Sequence, residues 1–177
     1  FMAPAEMPDA HYPLVLNTGR LPHQWHTMTK TGKVAQLNKL NATPFVEMHP
    51  DDAASLNIRS GDIVEIRSRR GFAQVPALVN TRAQAGVLFS SFHWNDTFGE
   101  NLAINALTSD AVDDISQQPE LKHCAVTLRL VAAAPQRIEV LELDDATDDA
   151  PAITIGFASQ TGNSERIAAV VQRRLKA

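Results

Sequence analysis

Residues 63–79 read Ile63-Val64-Glu65-Ile66-Arg67-Ser68-Arg69-Arg70-Gly71-Phe72-Ala73-Gln74-Val75-Pro76-Ala77-Leu78-Val79. Apolar and polar side chains alternate on both sides of Arg69-Arg70-Gly71, which is the pattern of two half-buried strands joined by a tight turn. Pro76 lacks an amide donor, so the second strand is expected to have a free edge or a bulge there. Arg69 and Arg70 fall in the turn, where a solvated surface role is the plainest reading. Upstream, Ser60-Gly61-Asp62 is a turn. Before it, His49 to Leu56 has a proline in its first turn and Asp51 and Asp52 at the positive end, which predicts a short helix. Ser55, Asp51 and Asp62 read as caps and turn formers.

Working outward, Phe45–Met48 is a short strand and Tyr12–Thr18 another, broken at Gly19. Gly86–Phe92 is an apolar strand that delivers His93, Trp94 and Asn95 at its end. Cys124–Val131 closes the set. Between Gly19 and Phe45 runs a long stretch with no clean period, and connections of that length usually have a function. It carries Arg20, His23, Trp25, His26, Thr27, Thr29, Lys30, Thr31 and Lys33, a donor-rich set around one large aromatic surface. A second polar loop follows Asn95 and runs to Lys122. Residues 12–131 therefore read as mainly β, with about six strands and little helix, and patterning leaves barrel and sandwich both open.

The 177 residues carry 44% hydrophobic and 20% charged side chains and a formal charge of −4. That suffices for a core without disulfides, and it offers no basic stripe for nucleic acid. Cys124 is the one cysteine. An internal disulfide, a multi-cysteine zinc site and an iron–sulfur cluster held by this chain alone are thereby excluded, and a reducing, cytoplasmic setting is expected. No stretch approaches the roughly 20 apolar residues of a membrane span, and residues 1–8 do not resemble a signal peptide. Beginning on Phe1, the sequence reads as a piece of a longer protein.

Residues 135–151 change character, with five acids and no base between Glu142 and Asp149 and proline at either end. That composition predicts a solvated linker. From 152 to 177 comes a strand (Ala152–Ser159), the turn Gln160-Thr161-Gly162-Asn163-Ser164, and an amphipathic helix (Glu165–Lys176). One strand and one helix cannot bury a core, so this segment reads as the start of a truncated domain.

Leu16-Asn17-Thr18-Gly19-Arg20, His23-Gln24-Trp25-His26-Thr27 and Lys30-Thr31-Gly32 together resemble the C-terminal domain of bacterial molybdopterin-dinucleotide oxidoreductases. Within these enzymes the pattern resembles that of assimilatory nitrate reductases. The likeness continues through Phe45 to Ala53, Gly61-Asp62, Arg69-Arg70-Gly71, Phe92-His93-Trp94, Asn101 to Asn105, Asp113 to Ser116 and Gln118 to Val126. It implies a double-psi β-barrel covering molybdopterin guanine dinucleotide. It further implies that the catalytic metal ligand and a 4Fe-4S cluster belong to other domains of the parent large chain, so no catalytic or metal-ligating residue is expected here and the piece is expected to be inactive alone. By the resemblance, Thr18, Gly19 and Arg20 lie against the cofactor, with Gly19 allowing close backbone approach. His26, Thr27 and Thr29 donate to it, Trp25 packs over it or closes the interface with a neighbouring domain, and His93, Trp94, Asn105 and Lys122 contact the pterin, while a strand-end histidine such as His93 reads equally as a structural hydrogen-bonder. Cys124 reads as an inert buried thiol.

Ser159, Gln160, Thr161, Gly162, Asn163 and Ser164 resemble the FMN phosphate loop of flavodoxin-like domains. Hydroxyls and backbone N–H groups before a helix suit a phosphate dianion, although retention of FMN by this chain alone is not expected. The parent then reads as a nitrate reductase fed by a flavin-linked electron donor. The alternatives are a formate dehydrogenase or other molybdopterin oxidoreductase, and a non-catalytic binding barrel. Without its partner domains, the barrel is expected to expose both the Arg20–Leu40 loop and the His93–Trp94 edge.

Overall fold

The computed structural model describes residues 3–135. The expected linker, the expected truncated domain and the Ser159–Ser164 phosphate loop thus lie outside the described residues, apart from Pro135 itself. Six strands are described: β1 (Leu14–Gly19), β2 (Val46–Met48), β3 (Ile63–Arg67), β4 (Phe72–Val79), β5 (Val87–Ser91) and β6 (Cys124–Ala132). They close into a barrel in the order β1-β5-β2-β4-β3-β6, with β6 returning to β1 through Leu14↔Val126, Val15↔Ala125 and Leu16↔Cys124. Two parallel pairs, β1–β5 and β2–β4, are set in an otherwise antiparallel ring, which is consistent with a double-psi barrel.

Alternation decides which side chains fill it. Leu14 and Leu16, Val64 and Ile66, Ala73, Val75 and Ala77, and Cys124, Val126 and Leu128 point inward and form one core with Val46, Met48 and Leu88. The helix α2 (Pro50–Ser55) forms where expected, with Pro50 in its first turn and the ring of His49 accepting from the Asp51 amide at 3.2 Å. Asp62 serves as a turn former, its carboxylate accepting from the amides of Arg59 and Ala134.

Two readings of the hairpin are corrected. Pro76 has no free edge beside it, because β4 lies between β2 and β3 in a closed ring. The Ala77 amide donates to Asp62 O on the β3 side, so the missing donor of Pro76 faces the β2 side. The β2 ladder begins one residue later, at Val46↔Ala77, and no ladder bond is lost. Arg69 and Arg70 reach solvent at the turn as expected, but both guanidiniums are engaged. Arg69 pairs with Glu6 and Asp9 and lies over the Tyr12 ring. Arg70 donates to Leu107 O at 3.0 Å, to Glu6 at 2.7 Å and to the Cys124 sulfur at 3.2 Å.

Candidate functional site

The topology gathers three connections at one end of the barrel. β1 and β5 run parallel and finish together, with Gly19 beside Ser91. β3 finishes, and β2, β4 and β6 begin, at that same end, because each is antiparallel to its finishing neighbour. Residues 20–45, the 68–71 turn and residues 92–123 therefore share this end.

The connection from β1 to β2 is less irregular than its sequence implies. It contains a 3₁₀ turn (Thr31–Lys33) and a short helix, α1 (Ala35–Asn38). It is closed on itself by Gln24 N to Leu21 O, Met28 N to Trp25 O and Gly32 N to Met28 O. His26 and Met28 adopt positive φ, 43° and 59°, a conformation that non-glycine residues hold only when their surroundings enforce it. Leu21 and Met28 turn inward and meet Trp94 in a second apolar cluster, flanked by Phe45 and Leu102.

Thr18 is buried, and its hydroxyl donates to Leu121 O at 2.6 Å. The Lys122 ammonium donates to Thr18 O at 2.7 Å, so Lys122 is brought directly to the Thr18-Gly19-Arg20 turn. The close approach at Gly19 is made by Phe89: a methyl group there would sit 2.6 Å from the ring edge. Phe89, Phe45, Asn17 and Arg20 line a cleft of ≈ 630 Å³ on the outer wall. Trp25 is 51% exposed and packs edge-to-face on the His26 ring. Thr27, Thr29, Lys33, Asn95, Thr97 and Phe98 line a neighbouring groove of ≈ 480 Å³. Asn105 is exposed on a 3₁₀ turn (Ile104–Ala106) laid over Gly71, where a methyl group would lie 2.9 Å from Ala106 O. It shares this barrel end but makes no hydrogen bond to the other candidates among the described residues.

The His93–Trp94 edge departs from expectation. Instead of facing solvent, His93 is 0% and Trp94 6% exposed, because residues 21–28 fold back over them. His93 Nε2 accepts from the Leu21 amide at 2.8 Å, while Nδ1 meets the His26 carbonyl. A main-chain N–H can only donate and a carbonyl can only accept, so the ring is neutral with its proton on Nδ1. Burial pushes its pKa below the ordinary histidine value, in keeping with that state.

Whether this end suits a large polar ligand can be judged from what it leaves unmatched. Among the described residues, Arg20, Thr27 and Thr29 make no side-chain hydrogen bond. Four buried polar atoms lack a partner there: His23 Nε2, Gln24 Oε1, Ser91 Oγ and His123 Nδ1. All four lie on segments at this barrel end, and buried polar atoms in native proteins are seldom left unmatched. A heterocycle edged with donors and acceptors, carrying phosphates, would supply such partners, so the residues fit a pterin dinucleotide. Of these four, His23, Gln24 and His123 stand inside stretches that carry the resemblance, whereas nothing in the sequence marks Ser91. Cys124 is buried as expected, and desolvation pushes its thiol pKa up. Among the described residues, no cluster of His, Cys, Asp and Glu could hold a metal, and no helix is long and apolar enough to cross a membrane.

Residues 14–125 match the family model described as Molydopterin (molybdopterin) dinucleotide binding domain. The chain is 47% identical over 125 residues to a nitrate reductase of Symbiobacterium thermophilum, covering 70% of this chain and 16% of that protein. It is 41% identical over 125 residues to the periplasmic nitrate reductase of Desulfovibrio desulfuricans (71% of this chain, 16% of that one). Over 127 residues it is 39% identical to the F420-dependent formate dehydrogenase subunit alpha of Methanocaldococcus jannaschii (72% and 18%). Among solved structures, acetylene hydratase from Pelobacter acetylenicus shares the fold, with a TM-score of 0.58 at 18% identity over 67% of this chain and 18% of that one. The chain thus spans less than a fifth of the length of the relatives it matches.

Proposed function

The chain belongs to the molybdopterin-dinucleotide-binding domain family, and from that premise we propose that the barrel end formed by residues 20–45 and 92–123 holds molybdopterin guanine dinucleotide inside a longer nitrate-reducing enzyme. The observation that carries the reading is the convergence there of buried polar atoms and of the Arg20, Thr27 and Thr29 donors that have no partner among the described residues. Arg20 offers a planar fork of five donors suited to phosphate oxygens. Thr27, Thr29 and His26 add shorter donors, and Trp25 presents a half-exposed ring for a flat heterocycle. Lys122 and the Thr18 carbonyl form a fixed polar pair beside Gly19, and Asn105 reaches the group from the second connection. When bound, the group supplies two-electron redox chemistry at molybdenum, while this chain's residues position it and exclude water.

Nitrate is favoured as substrate because the 47% and 41% identities are to proteins named nitrate reductases. The 39% identity to a formate dehydrogenase subunit keeps formate as the competing substrate. A 4Fe-4S cluster elsewhere in the parent belongs to the same reading, as does cytoplasmic placement. The Ser159–Ser164 motif supports a flavodoxin-like FMN domain and hence a flavin-linked electron donor.

The test is anaerobic reconstitution of the full-length parent, with molybdenum content measured and nitrate and formate assayed side by side. Nitrate turnover without formate oxidation is expected. Combined Arg20→Ala and Lys122→Ala substitution should strip molybdenum from the parent, and unchanged metal content and activity in that variant would refute the cofactor reading.

A further inference from the structure

His93 has both ring nitrogens committed to the backbone of a connection some seventy residues away, and it is closed off from solvent. Neither nitrogen is left for a ligand. One of the two carbonyl and amide groups it holds belongs to His26, whose backbone lies in the left-handed region, as does that of Met28. Such backbone persists only when neighbouring contacts over-determine it. Here those contacts are the His93 ring on one side and the burial of Leu21, Met28 and Trp94 on the other. The side chains that this arrangement leaves outward are Arg20, Trp25, His26, Thr27 and Thr29.

We propose that His93 is a positioning residue: its neutral, Nδ1-protonated ring locks residues 21–26 in the conformation that presents the donors of this connection to the cofactor, and it does not touch the cofactor itself. The presentation half of this statement rests on the proposed function, whereas the locking half stands on the geometry alone. Protonation would set an Nε2–H against the Leu21 N–H, donor against donor, so acid should release the lock. The charged and titratable groups facing the ring are Arg20, His23 and His26, and positive charge on any of them disfavours protonation of His93.

The test uses the full 177-residue chain and, in parallel, the full-length parent. Nitrogen-15 NMR of His93 should show the neutral Nδ1–H tautomer at pH 7, and a protonated ring or the Nε2–H tautomer would overturn the proposal. Amide exchange at Leu21, Gln24 and Met28 should accelerate by about tenfold or more in His93→Phe, with barrel amides unchanged. His93→Asn, whose amide nitrogen can replace the Nδ1 donor, should fall between. In wild type the same amides should accelerate on acidification in step with the His93 signals. The parent separates the two ideas. Faster loop exchange with undiminished molybdenum content would leave the lock standing and sink the cofactor-contact reading of the loop. Unchanged loop exchange with lost molybdenum would show that His93 acts by direct contact, and the proposal would fall. If His93→Phe does not fold, the tautomer and the acid response of wild type still decide.

Discussion

Glu65 shows how a single carboxylate is held on the outer wall. It is 2% exposed, and it accepts from Arg129 at 2.8 and 3.0 Å, from Arg67 at 2.9 Å and from Gln74 at 3.2 Å. The Arg129 bonds outweigh the cost of burial and hold its pKa at about 2, against an ordinary 4.5. Because the folded value lies below the unfolded one, the stabilisation is complete above pH 4.5 and is lost as pH falls from there toward 2. Both arginines are substantially solvated, 46% and 65% exposed, which screens the interaction. Glu65→Gln should therefore cost only on the order of 1 kcal/mol at pH 7. It should also flatten the fall of Tm with acid in that window, and thermal melts from pH 7 to pH 3 on both proteins check this. Equal acid sensitivity would assign the loss to other carboxylates. At Gly71 the constraint is steric: a methyl group would meet Ala106 O at 2.9 Å, and the obstacle is backbone. Gly71→Ala should destabilise by about 1–2 kcal/mol, with chemical shifts moving at Ile104–Leu107 before those of the distant β2 strand.

The β3–β4 hairpin was legible because its information is local: alternation on either side of Arg69-Arg70-Gly71 defines two strands and their turn. What Arg70 does was not legible, since its partners Leu107 and Glu6 stand 37 and 64 residues away. The same holds for His93, read as an exposed strand end because nothing local shows that residues 21–28 fold over it. Conversely, Thr18-Gly19-Arg20 and His23 to Thr29 stand out in the sequence as a candidate site because they are contiguous. Neither a free edge nor a bulge forms at Pro76, because the neighbours of a strand are a property of the ring, which no single strand reveals. Arg70 joins the hairpin to the turn bearing Asn105, to the N-terminal segment and to Cys124, whose sulfur also meets Leu107 O at 3.0 Å. Arg70→Ala leaves the Glu6 carboxylate and the Leu107 carbonyl short of a donor. It should raise the labelling rate of the Cys124 thiol by about tenfold, equivalent to ~1.4 kcal/mol of local opening, and Arg70→Lys should recover part of this through Glu6 alone. A labelling rate unchanged in Arg70→Ala would show that the ties contribute nothing to closure.

Taken as a whole, residues 3–135 contain two apolar clusters of unequal size. The barrel core draws on all six strands, whereas the second cluster has Leu21, Met28 and Trp94 as its buried members. Leu102 packs against both and is their shared apolar contact. Regions with few buried contacts open at lower free energy than the core they adjoin, and a surface that must admit a large cofactor has reason to be drawn from that end of the scale. The connection carrying Arg20 to Thr29 should accordingly open before the barrel unfolds. The two tryptophans make this measurable, since Trp94 is buried and Trp25 is exposed. In a Trp25→Phe background, the emission of Trp94 should shift to the red at a lower denaturant concentration than the far-ultraviolet circular dichroism of the strands is lost. Leu102→Ala should widen that separation, because it weakens the one side chain that couples the small cluster to the large one. Leu16→Ala, deep in the barrel and fully buried, should instead lower the dichroism midpoint by the ~3–5 kcal/mol of an unrelieved core cavity. The Trp94 transition should then move toward it until the two merge, since the loop cannot outlast the strands that carry it. Coincidence of the two signals in the Trp25→Phe protein, persisting with Leu102→Ala added, would mean that the connection and the barrel fold as one unit and that the site is rigid before any ligand arrives.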